Sequence, residues 1–251
     1  MTRFVVTLEY DGGPFVGWQR QDNGLSVQYC VEDAIFKFCG EAVAVQAAGR
    51  TDAGVHAWGQ VAHFDLVKPA EPFRVQEALN YHLKPHPIAV VACAPAPAPT
   101  AAGAEFHARF SAVKRVYRYR IVNRRAPLAI ERGRAWQVAA PLDAEAMHAA
   151  ARHLVGRHDF SSFRAAECQA ASPVKTLDVL SVSRYGEELV VAAEARSFLH
   201  HQVRNMVGTL KSVGEGKLPA HALEKILAAR DRSAAGITAP AEGLYLMRVE
   251  Y

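Results

Sequence analysis

Residues 94–104 read APAPAPTAAGA, and this run decides how the chain divides. Three prolines alternate with alanine. Proline has no N–H to give a ladder and clashes inside a helix, so the run is neither a central strand nor a helix. It reads as a stiff surface linker and splits the chain into halves 1–104 and 105–251. Outward towards the N-terminus, Thr2–Tyr10 alternates and is rich in Val and Phe, which predicts a strand. Asp11-Gly12-Gly13-Pro14 breaks it. Ser26–Phe38 has helical spacing at Val27, Cys30, Val31, Ala34, Ile35 and Phe38, with Ser26 as N-cap and Gly40 as stop. Strands are expected over 41–48, 61–67 and 88–93, with a helix over 73–82 entered after Pro72. The first half thus reads β-α-β-β-α-β.

Beyond the linker the order nearly repeats. Strands are expected over 111–123 and 134–138, and a helix over 143–154 capped by Asp143. A hairpin follows over 175–184 and 189–196, around Tyr185-Gly186. Helices over 198–213 and 220–229 and a strand over 244–251 complete the half. The two halves show no sequence repeat. Mixed strands and helices in this order predict an α+β fold with antiparallel sheet and helices packed on one face.

Composition excludes several classes. The chain has 251 residues, half of them apolar and 22% charged, with a mean hydropathy of −0.04. Those values are globular, not disordered. The apolar runs are too short for a transmembrane helix, and the N-terminus lacks a signal-peptide pattern, so a cytoplasmic location is expected. Cys30, Cys39, Cys93 and Cys168 form no CxxC pair. In a reducing compartment they read as small apolar fillers rather than zinc ligands.

Charge is unevenly placed. Through Glu105 the chain carries 7 basic and 11 acidic residues; the remainder carries 22 and 14. Arg109–Arg134 alone holds nine arginines and lysines against one acid, Glu131. A solvated face accounts for this, and so does a surface that tracks phosphates, since Tyr117 and Tyr119 interleave with the cations.

Three motifs carry chemistry. In Gly49-Arg50-Thr51-Asp52-Ala53-Gly54-Val55-His56-Ala57 two glycines bracket an Arg and an Asp. A lone loop Asp is commonly a turn former, but a carboxylate beside an arginine in a loop stripped of bulk is arranged to meet a ligand. In Lys114–Tyr119 the tyrosines share one strand face and the cations at 114, 118 and 120 share the other; packing into the core is the plain alternative for the tyrosines. In Phe198–Gly208 a helix would put His200, Arg204 and Gly208 on one line. Adjacent histidines on a helix diverge by about 100°, so His200 and His201 are not expected to chelate one ion, and no metal is expected.

These stretches, together with RHDFSSFRA at 157–165 and ITAPAEGLYLMRVEY at 237–251, resemble the tRNA pseudouridine synthase A family in order and over nearly the whole chain. The Ala/Pro run looks longer than that family needs. The resemblance implies two ferredoxin-like halves joined into one continuous, mostly antiparallel sheet, with the active cleft between them. It implies isomerisation of uridine to pseudouridine at positions 38, 39 and/or 40 of the tRNA anticodon stem-loop: the N1–C1′ bond breaks, the base turns, and a C5–C1′ bond forms. That change is redox-neutral, so no cofactor is expected. Asp52 matches the family's catalytic aspartate, which acts at C1′, at C6 or on a C2′ proton. Arg204 matches the cation that pairs with it; a nearby cation favours the ionised carboxylate. Tyr117 matches the tyrosine that stacks on the target base, and Arg50 the arginine that enters the stem when the nucleotide is flipped out. A homodimer is implied, with no membrane partner. Three rivals remain: a non-catalytic RNA-binding module, a hydrolase using Asp52, and a pseudouridine synthase with another RNA substrate.

Overall fold

β1 (Thr2–Tyr10) buries every second side chain, Phe4, Val6, Leu8 and Tyr10, as its alternation dictates. It runs antiparallel to β3 (His56–Leu66) in a register that sets Phe4 opposite Phe64, their rings stacked at 6.0 Å. β4 (Ile88–Pro95) lies on the other side of β1. The computed structural model describes residues 1–99, 101 and 103–251; Thr100 and Ala102 of the Ala/Pro run lie outside the described residues. Within that run Ala94 and Pro95 belong to β4 and Ala96 N–H donates to Arg3 O at 2.8 Å. The edge position is what lets a proline sit there.

α1 (Val27–Cys39) starts where the Ser26 side chain accepts from Tyr29 N–H and stops at Gly40, whose φ is 79°. This is the N-cap and left-handed stop that the sequence predicts. α2 (Pro72–His82) has its proline in the first turn. Of the strand expected over 41–48, only β2 (Gln46–Ala47) pairs, with β3. Side-chain acceptors take neighbouring backbone donors: Glu32 accepts from Val45 N–H, and Glu41 from Val67 and Lys68 N–H.

The chain forms two compact units, Met1–Val113 with Leu246–Tyr251, and Lys114–Tyr245. In the first, the strand order is β4-β1-β3-β10, where β10 is Leu244–Glu250 and its last residues belong to this unit. The face of β1 and β3 that bears Val5 and Val61 is covered by Phe106 and Ala108, with Val249 beside them. Buried His63 holds this covering segment: its Nδ1 accepts from Ala108 N–H at 3.2 Å, and its ring lies 4.7 Å from that of His107. Burial pushes His63 down to about 4 from 6.5, with the nearby His107 and Arg3 charges acting the same way. An unfolded chain therefore takes this proton before the folded one does. Stability of this unit should be full above pH 6.5 and fall as pH drops towards about 4. Urea midpoints measured across that range should fall more steeply than in His63→Gln; parallel curves would refute the assignment.

In the second unit the order is β5 (Lys114–Val122), β9 (Glu188–Ala195), β8 (Val174–Tyr185) and β7 (Gly156–Asp159), all antiparallel. β6 (Trp136–Gln137) pairs in parallel with β5. α3 (Ala144–Ala151), capped by Asp143, packs on β8 and on α4 (Gln202–Gly214); α5 (Ala222–Ala229) follows. Among the described residues no helix is long and apolar enough to cross a membrane.

One boundary differs in a way that matters. The helix expected over 198–213 begins only at Gln202. Leu199 N–H donates to Gln202 Oε1, His200 O accepts from Ala165 N–H, and His201 adopts a left-handed φ of 61°. His200 is therefore in the turn before α4 and not on a helical line with Arg204.

Candidate active site

The loop around Asp52 is built by its neighbours. Trp18 N–H donates to Thr51 O at 3.0 Å, and Gly17 pairs with Asp52 as an isolated antiparallel bridge. Gly17 has φ 118°, and a Cβ there would lie 2.8 Å from Thr51 O; only glycine meets both conditions. Thr51 is buried and its hydroxyl shares a 2.8 Å hydrogen bond with Tyr10 Oη. Burial pushes the Tyr10 phenol up to about 12, so it stays neutral. Gln60 donates to Gly49 O at 2.7 Å. After Asp52 the chain turns at once: Val55 N–H donates to Asp52 O at 3.1 Å, with Gly54 at φ 77° in the third position, where a type II turn demands it. Both flanks of Asp52 are thus tied, and its side chain is half-buried. Arg50, two residues earlier, is exposed.

Sequence reading did not single out Tyr10, Gly17, Trp18 or Gln60 as supports. The signal for one of them was present: a glycine at 17 set among the apolar residues Phe15, Val16 and Trp18 marks a close backbone approach.

Tyr117 and Arg204 lie in the other unit. On β5 the two tyrosines share a face but differ in setting. Tyr119 is fully buried, its hydroxyl donating to Pro240 O at 2.7 Å. Tyr117 is only partly covered and packs edge-on against Phe198 at 5.2 Å. The core role thus falls to Tyr119, and Tyr117 retains accessible ring. On the opposite strand face Lys114 pairs with Glu194 at 3.1 Å, and Arg120 with Glu188 and Glu131 at 2.6 and 2.7 Å. Arg118 is the exposed member of the three. The dense basic stretch is therefore partly spent on internal ion pairs.

Arg204, on the first turn of α4, donates through Nε to Ala239 O at 2.8 Å, while Ala239 N–H donates to Arg204 O at 3.1 Å. Burial pushes the Tyr119 phenol up, and the positive charge of Arg204 opposes that. The rings of His200 and His201 sit 4.0 Å apart, so the helical divergence expected of this pair does not hold. The four cysteines are free thiols, and burial pushes Cys30 and Cys93 up to about 11. Cys30 and Cys93 therefore stay protonated thiols at neutral pH.

The fold and this loop define an α+β protein with a carboxylate displayed on a glycine-lined, firmly tied turn. A family model described as tRNA pseudouridine synthase matches residues 7–111 and 150–251. The chain is 63% identical to tRNA pseudouridine synthase A of Rhodospirillum centenum over the whole of both chains. It is 61% identical to the protein of that name from Paramagnetospirillum magneticum, covering all of this chain and 96% of the relative. With the one from Parvibaculum lavamentivorans the identity is 56% over the whole of both. The chain belongs to the tRNA pseudouridine synthase family.

Proposed function

We propose that this protein isomerises uridine to pseudouridine in tRNA, at positions 38, 39 and/or 40 of the anticodon stem-loop. The observation that carries the reading is the full-length kinship to enzymes of that name, joined to a loop that holds one carboxylate, Asp52, between tied backbone flanks. Asp52 is the catalytic group. Arg204 is the cation that pairs with it, because a carboxylate taken from water needs a partner. Tyr117 stacks on the flipped base, and Arg50 fills the place that the base leaves. The reaction is redox-neutral and calls for no cofactor. The working form is a homodimer in the cytoplasm.

Tritium release from tRNA carrying [5-³H]uridine tests this directly, since C5 gives up its hydrogen in this isomerisation. A non-catalytic RNA-binding module would bind the same tRNA and release nothing.

Variants at two positions probe the roles. Base–aromatic stacking contributes about 1–3 kcal/mol, so Tyr117→Leu should lower the rate roughly 5- to 150-fold, while Tyr117→Phe keeps tRNA binding. A fully active Leu variant would mean that Tyr117 only packs against Phe198. Arg132→Ala, in the basic stretch, should leave the rate of bound tRNA unchanged. It should reduce the slope of log affinity against log salt by about one, read from binding isotherms at several salt concentrations.

A further inference from the structure

A polar clasp joins α4 to the segment 232–239, and the reaction chemistry does not use it. Asn205 is fully buried beside Arg204 in the sequence. Its Nδ2 donates to Phe163 O at 2.9 Å, and its Oδ1 accepts from Arg232 Nη2 at 3.1 Å and from the Thr238 hydroxyl at 2.7 Å. Arg232 also donates to Gly236 O at 2.9 Å and to Thr238 Oγ1 at 3.0 Å. Thr209, buried mid-helix, donates to Asn205 O and accepts from Gly236 N–H at 2.9 Å. The segment lies so close to the helix that a Cβ on Gly208 would overlap the Ile237 carbonyl. Its last residue, Ala239, is the one whose carbonyl holds Arg204 Nε.

We infer that Arg232, with Thr238 and Asn205, is a positioning residue for Arg204. Arg204 is long and flexible, and its side chain is rich in rotamers. The Ala239 O acceptor can fix it only if the segment that carries that carbonyl is itself held. The clasp makes that loop rigid: the guanidinium fork of Arg232 ties residues 236 and 238 to one buried amide, and the amide belongs to the helix turn that carries Arg204. The acceptor at Ala239 O is thereby set relative to the Arg204 backbone, and the guanidinium plane follows. A buried network satisfied at each of these atoms specifies one geometry. The catalytic consequence rests on the reading of Arg204 as a member of the active site; the positioning itself does not.

The test uses the full chain with Arg232→Ala, Thr238→Val and Thr238→Ser. The first readout is hydrogen exchange at Arg204 Nε–H, followed by NMR. Protection should be lost in Arg232→Ala and Thr238→Val and return in Thr238→Ser, which restores the hydroxyl. The second is the single-turnover rate of tritium release with saturating tRNA. Misplacing a catalytic cation by about 1 Å should cost about 10- to 100-fold in rate, with tRNA affinity within about threefold of wild type, under 1 kcal/mol. A loss explained by unfolding would scale with the folded fraction, read from melting curves of the same variants. Retained protection in both Arg232→Ala and Thr238→Val, or a wild-type rate in a variant that has lost it, overturns the inference. If wild-type protein releases no tritium, the functional reading has failed, and the exchange measurement decides the positioning by itself.

Discussion

Asp52→Asn should reduce pseudouridine formation by at least about 10⁴-fold, equivalent to about 5.5 kcal/mol of barrier. The change keeps the size and planarity of the side chain and removes its charge and nucleophilicity. The backbone that holds the residue does not depend on the carboxylate: Trp18, Gly17 and Val55 meet the main chain at Thr51 and Asp52. Folding and tRNA affinity should therefore stay near wild type, which melting curves and binding isotherms will show. Asp52→Glu should also fail, because the turn closed by Val55 N–H and Gly54 leaves no slack to absorb an added methylene, and catalysis is sensitive to displacements of that size. Arg204→Lys should lose part of the rate, since it keeps the charge but gives up the planar fork. Near-wild-type turnover in Asp52→Asn would remove the catalytic assignment altogether.

Gly208→Ala should produce the largest loss of stability of any single methyl added to α4. The new Cβ would overlap the Ile237 carbonyl oxygen and crowd Ala239 N at 3.3 Å. These are backbone atoms, which cannot step aside as a side chain can. Alanine ordinarily favours a helix interior over glycine by about 1 kcal/mol, so a gain would be expected if space were free. Here overpacking opposes it at about 3 kcal/mol, the upper end of such costs, a net loss of about 2 kcal/mol, or about 4–8 °C in melting temperature for a chain of this length. A Gly216→Ala control, where nothing lies within 4 Å but φ is 72°, separates backbone strain from collision. An unchanged melting temperature in Gly208→Ala would show that segment 236–239 is not held against the helix.

Much of the secondary structure was legible because its causes are local. The alternation in β1, the Ser26 and Asp143 caps and the Gly40 stop act within a few residues, and each marks a boundary found in the structure. What escaped depends on distant partners. Within the strand expected over 41–48, Glu32 claims the Val45 backbone donor, and the Glu41 side chain reaches instead to the Val67 and Lys68 N–H groups. The start of α4 is displaced because Ala165 N–H takes the His200 carbonyl that a longer helix would have used internally, and His201 sits in a left-handed conformation. The Ala/Pro run read as linker from its first residue, yet Ala94 and Pro95 sit on the sheet, because an edge strand tolerates what a central one does not. At the candidate site the glycine-bracketed Asp52 loop stood out by composition. Its supports at Tyr10 and Gln60 did not, since nothing in a linear pattern says that residues 10, 51 and 60 meet.

The first unit takes its last residues, Leu246–Tyr251, from beyond the whole of the second unit. On a ribosome, residues 1–113 emerge long before those are made. Until then β3 presents an open edge, and Ala108 O waits for Tyr251 Oη, which donates to it at 2.8 Å. An uncovered β edge invites pairing with another chain. Completion of the unit is thus a late event of high sequence separation, the kind that slows folding. Translation must carry 132 further residues, Lys114–Tyr245, through synthesis before the half that bears Asp52 can close.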